Sequence, residues 1–120
     1  MTTAARTSRW ARRFVLAGAG WLAIWNGAVL AGVAHRTAVT VGLLGFVFGT
    51  VFGKGYSLVP SYFDRSLATT RLLPVHLLAA ALGPALLAVG IETATPTLQV
   101  AGAATWLAAV LLFVGTIGAT

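Results

Sequence analysis

The run from Phe14 to Ala34, FVLAGAGWLAIWNGAVLAGVA, carries no charged side chain. Its length matches the roughly 20 residues that an α-helix needs to cross a hydrocarbon core. Three more apolar runs follow, at residues 38–58, 72–91 and 100–120. Inside lipid every backbone N–H and C=O must be satisfied within the protein, which permits only helices or closed barrels. None of the runs shows the period-2 alternation of a barrel strand, so all four read as helices. The expected architecture is a single all-α domain over residues 1–120, integral to a membrane, with four transmembrane helices in an antiparallel bundle.

Composition argues against a water-soluble globule. Hydrophobic residues make up 58% of the chain and charged ones 8%, against about 25% charged in soluble domains. The mean hydropathy is +0.91. Absence of cysteine removes disulfides, thiolate metal sites and a cysteine nucleophile from consideration. The net charge of +6 comes from residues that flank the apolar runs. That placement points to the lipid bilayer as partner, through anionic headgroups, and not to nucleic acid. A membrane-protein partner or a second copy of the chain is a further candidate.

Arg6, Arg9, Arg12 and Arg13 precede the first run. The run is longer than the apolar core of about 7 to 15 residues in a signal peptide, so it reads as a retained span. With four spans, the N-terminal arm and the turn between spans two and three share one side. That side holds the four arginines with Lys54, Arg65 and Arg71, whereas the other side holds only Arg36. The positive-inside rule therefore places both termini in the cytoplasm, for a multi-pass protein of the cell (inner or plasma) membrane. Trp10, Tyr56, Tyr62 and Phe63 fall at the inner boundary, where an aromatic belt is expected.

Small residues allow helices to approach closely where the hydrophobic effect does not drive association. Gly45, Gly49 and Gly53 form such a stripe on the second span, and Ala19, Ala23, Gly27 and Ala31 one on the first. The two are expected to face each other. Asn26 is expected to bond across helices, and Gly83-Pro84 to kink the third span. In the segment FGKGYSLVPSYFDR, residues 52–65, Lys54 can snorkel, Pro60 marks the end of the span, and Tyr56 and Arg65 suit the interface.

Chemistry-bearing residues are few: His35, His76, Lys54, Asp64, Arg65 and Glu92. The last four read as interfacial anchors or local ion pairs. Paired histidines on facing helices can ligate heme iron. Here His35 lies in the outer loop and His76 near the inner boundary, roughly 20 Å apart at 1.5 Å rise per residue. They do not meet on one iron. G-x-S-x-G, H-E-x-x-H and P-loop motifs are absent. No catalytic set is assembled, and no enzyme activity is expected.

GLLGFVFGTVFGKGYSLVPSYFDR, continued by TTRLLPVHLLAAALG, resembles a pattern in membrane proteins related to heme-copper oxidase catalytic subunits, nitric oxide reductases and NnrS-type heme proteins. The resemblance implies shared helix packing and a link to a respiratory or nitrogen-oxide pathway. The cofactor it implies is heme b, with His35 or His76 as axial ligand. Counting back from Pro60 to the ligand position of the heme-bearing relatives reaches Val39 and Thr40, so the expected histidine is missing. The leading expectation is thus a structural or accessory subunit without a resident cofactor. A heme-binding or redox-sensing protein comes next, then a channel or transporter subunit using Asn26 and the Gly83-Pro84 region. Small multidrug-resistance transporters, similar in size, depend on a membrane-embedded glutamate in the first span, and none is present.

The topology is testable by single cysteines introduced as His35→Cys and Ser66→Cys. A membrane-impermeant thiol reagent added to intact cells should label the first and not the second.

Overall fold

The computed structural model describes residues 2–120. Four helices are long and apolar enough to cross a membrane: α1 (Thr3–Ala31), α2 (His35–Tyr62), α3 (Leu73–Glu92) and α4 (Pro96–Ala119). No strand occurs among the described residues. The molecule measures 45 × 26 × 21 Å, and its long axis matches the roughly 40–45 Å of a bilayer with its headgroups.

The first helix begins well before the apolar run, because Thr2 caps it by accepting from Ala5 N–H at 3.1 Å. The arginine-bearing segment is therefore the first turns of α1 and not a flexible arm. The chain leaves α1, α2 and α3 by one design. Each helix end places a residue in the left-handed region, Gly32 (φ 76°), Asp64 (φ 53°) and Ala94 (φ 51°). The next residue's N–H then reaches back to a carbonyl in the last turn: Val33 to Ala28, Arg65 to Pro60 and Thr95 to Gly90. This arrangement satisfies the carbonyls that a helix end leaves without partners.

Helix α2 widens into π-helical turns over Val41–Val47, where Phe48 N–H donates to Leu43 O, five residues back. The widened turns are the ones that receive two indoles from α1. A Cβ on Gly42 would lie 2.7 Å from the Trp25 ring, and one on Gly45 2.6 Å from Trp21. Gly49 lies on Gly18, and Gly53 on Ala11 and Phe14. Glycine permits the contacts at Gly42, Gly45 and Gly53, where an added Cβ would come within 3 Å of a ring, a side chain or the facing backbone. Helices α3 and α4 meet likewise, with Gly83 against Trp106, Gly90 against Gln99 and Gly102 against the Leu87 backbone.

Two expectations are corrected. The stripe Ala19, Ala23, Gly27 and Ala31 is exposed; α1 instead presents Ala11, Phe14, Gly18, Trp21 and Trp25, because the large rings fill what the glycines of α2 leave open. Asn26 is also exposed and donates its side-chain amide to Leu22 O on its own helix, at 2.8 Å. That bond satisfies the amide locally.

The outer surface is largely apolar, and four polar side chains lie among the buried residues. Leu16, Leu30, Leu58, Leu78, Val100 and Leu111 are exposed, while Thr7, Thr37, His76 and Thr116 are buried. Such an outer surface suits hydrocarbon and not water. At the far end of α3, the Glu92 carboxylate accepts from Ala34 N–H at 2.8 Å and Thr37 Oγ1 at 2.7 Å. It caps the start of α2 from another helix, a role that pairs a negative charge with a helix N-terminus.

Gly102→Ala should lower the thermal midpoint in detergent, since its Cβ would lie 2.5 Å from Leu87 N and overpacking costs about 1–3 kcal/mol. Gly27→Ala, with nothing within 4 Å of the added carbon, should leave the midpoint unchanged or raise it slightly.

Candidate functional site

Phe48, Phe52 and Tyr56 recur at four-residue spacing and therefore share one face of α2. That face closes over α3 at His76. Tyr56 Oη and His76 Nδ1 lie 2.6 Å apart, and both residues are 0% exposed. Aromatic rings surround the imidazole, with centroids at 4.5 Å for Phe52, 4.9 Å for Phe14 and 6.1 Å for Phe113. Tyr56 itself stacks edge-on against Phe113 at 5.1 Å. All four helices thus contribute a ring to one cluster.

The pair forms a buried hydrogen bond with one loose end. His76 Nε2 has no hydrogen-bond partner, and neither has the buried hydroxyl of Thr116. Thr116 sits beside the Tyr56 hydroxyl but outside hydrogen-bonding geometry. If Tyr56 donates to Nδ1, Nε2 carries the ring proton; if the imidazole donates, Nε2 is a bare lone pair. Either state leaves one polar atom facing aromatic carbon. The edge-to-face contact with Phe52, at 64° between ring planes, offers only weak compensation.

Tyr56 is therefore not part of an interfacial belt, which is a correction to the sequence reading. It turns inward because its hydroxyl finds the imidazole there, while Tyr62 and Phe63 stay exposed. Pro60 is buried in the last turn of α2, and the helix continues to Tyr62. Lys54 is exposed. Arg65 donates to Thr120 O at 3.0 Å. Gly45, Gly49 and Gly53 line the contact with α1 as described.

The two histidines stay apart. His35 is exposed at the start of α2, next to the Glu92 end of α3. His76 lies sixteen positions from Glu92 along α3 (92 − 76), about 24 Å at 1.5 Å per residue. No cluster of three or more His, Cys, Asp or Glu side chains occurs among the described residues. The rings of Phe14, Phe52 and Phe113 occupy the space beside His76 that a flat macrocycle would need, so the packing does not fit heme as it stands.

Phe14, Phe52, Phe113 and Thr116 are site residues that motif reading missed. The four-residue aromatic spacing on α2 was the available signal. No protein-family model, curated protein or solved structure matches the chain.

Tyr56→Phe should lower stability by about 1–3 kcal/mol, because it strands the imidazole in an apolar cage. The double variant Tyr56→Phe/His76→Leu should cost less than the sum of its single changes by about 1 kcal/mol. Unfolding midpoints of the four proteins in one detergent check this coupling.

Proposed function

We propose that the chain is a small multi-pass protein of the cell membrane that serves as a structural or accessory subunit, with no reaction of its own. The observation behind this reading is the state of the residues that carry chemistry. His76 and Tyr56 are closed into the aromatic core, Glu92 caps α2, and Arg65 ties down Thr120. Each has a packing or capping duty, and the one hydrogen-bonded pair among them, Tyr56 with His76, is closed off from the surface.

An antiparallel bundle is supported by the contact register. Residues 11, 18, 21 and 25 of α1 meet 53, 49, 45 and 42 of α2, and 83 and 90 of α3 meet 106 and 99 of α4. The charge asymmetry supports cytoplasmic termini. Association with a respiratory or nitrogen-oxide pathway rests on the resemblance of the second span and on nothing else. A conducting role finds no support in the packing, since Asn26 lies on the outer face and Pro84 is fully buried.

A second reading, heme b binding or redox sensing, is favoured by one feature: the unpartnered Nε2 of His76, the atom that an axial ligand uses. It requires Phe52 or Phe113 to swing away. The visible spectrum of the purified protein separates the two. The accessory reading expects no Soret band. A stoichiometric heme whose spectrum changes in His76→Ala would replace it with the second reading.

A further inference from the structure

Two adjoining cavities open where α1 and the end of α2 carry most of the chain's cations. One, of about 320 Å³, lies between the helices and is walled by Val15, Leu16 and Gly53, with Arg12 on α1 and Lys54 on α2. The other, of about 420 Å³, is lined mainly by hydroxyls, among them Thr3, Ser8, Ser57, Ser61 and Ser66, with Asp64 and Arg65 alongside. Ser8 and Ser57 belong to both, so the two form one continuous depression that is apolar and cationic in one part and hydroxylated in the other.

The geometry points to a binding site for one anionic phospholipid with a polyol headgroup. Its phosphodiester sits between Arg12 and Lys54, an acyl chain runs along Val15 and Leu16, and the headgroup hydroxyls enter the Ser/Thr-lined cavity. The inference rests on the membrane-spanning reading above and gives that reading a defined lipid partner.

Three observations carry it. First, the order of chemistry along the depression repeats that of the lipid: apolar wall, paired cations, hydroxyls. Second, Arg12 and Lys54 come from different helices, so an anion between them neutralises two charges that otherwise repel. Two neighbouring cations have partners within the protein: Arg13 stacks over Trp10 at 4.3 Å, and Arg65, at the hydroxyl cavity, donates to Thr120 O. Third, the level is right. Trp10 lies one turn from the groove on α1, and interfacial tryptophan marks headgroup depth. Gly53 forms the groove floor, where α1 and α2 come so close that a Cβ would lie 2.9 Å from both Ala11 O and Val15 Cγ2.

The test uses the full chain in detergent, with dioleoyl phosphatidylglycerol titrated in and bound lipid counted by native mass spectrometry. Dioleoyl phosphatidylserine, of equal charge, and phosphatidylcholine are the comparison lipids, and water-soluble glycerophosphoglycerol is the headgroup control. Phosphatidylglycerol should bind more tightly than either comparison lipid. The double variant Arg12→Gln/Lys54→Gln should weaken that binding about tenfold, while Arg36→Gln/Arg71→Gln, which removes the same charge elsewhere, changes it less than about twofold.

Equal losses in the two double variants would mean diffuse attraction and overturn the site. Equal binding of phosphatidylserine would overturn the polyol headgroup, and competition by glycerophosphoglycerol at equal concentration would overturn a lipid occupant. Flotation with vesicles of each composition keeps the underlying reading separate. A protein that inserts into all of them without lipid preference loses only the site, whereas one that inserts into none loses the membrane reading as well.

Discussion

Close approach of helix backbones through glycine is the constraint on which the rest of this structure depends. In lipid no hydrophobic gain accompanies bringing two helices together, so van der Waals contact has to supply the attraction. Gly49 meets Gly18, and Gly102 meets the backbone at Leu87. At these points the helices touch without intervening side chains. Elsewhere the glycines serve as sockets for the rings of Trp21, Trp25 and Phe113. Removing one socket displaces a large ring, and through it a neighbouring helix. The π-helical turns of α2 coincide with the two indole sockets, so the same constraint reaches into the backbone itself.

This arrangement determines where polar groups can go. With leucine and valine facing outward, the interior accepts threonine hydroxyls, an imidazole and a phenol. Within an apolar surround a hydrogen bond gains strength and an unpaired group costs more. Tyr56 and His76 therefore act as a specific fastener between α2 and α3, and Glu92 as another at the opposite end, joining α3 to the start of α2. A one-turn slip of α2 against α3 would break both at once. The two bonds fix a register that smooth glycine surfaces alone leave open to sliding.

How much of this was legible in the sequence differs by level. Long uncharged runs make the four helices plain, since length and hydropathy are local properties. The choice of contact face on α1 was not plain. Small residues were read as the interface on both helices, whereas small meets small at Gly49–Gly18 and Gly53–Ala11 while Gly42 and Gly45 receive the rings of Trp25 and Trp21. Counting volumes across a pair, not smoothness on each member, would have indicated Trp21 and Trp25. Tyr56 was misplaced for a related reason. Its position near the end of an apolar run suits a membrane interface, and only its fourfold spacing with Phe48 and Phe52 hinted that it belongs to the buried face. The capping role of Glu92 depends on two segments far apart in sequence and had no local signature.

The fastener and the lipid depression share Tyr56, which joins the hydroxyl-lined cavity to the aromatic core. At the end of the bundle where α1 begins, the depression runs from hydroxyls through the paired cations to an apolar wall, and the phenol leads from the hydroxyls into the aromatic core. Charged groups stay where water and phosphates can reach them, and the hydroxyls can exchange partners with a headgroup at little cost. The phenol is the last polar group that can still be satisfied, because His76 meets it from the far side. Beyond that pair, the orphaned Nε2 marks the depth at which the interior offers no further partner. Polar side chains thus thin out from the depression inward as their desolvation becomes harder to offset, and the same phenol that borders the headgroup cavity outside holds the register of the helices inside.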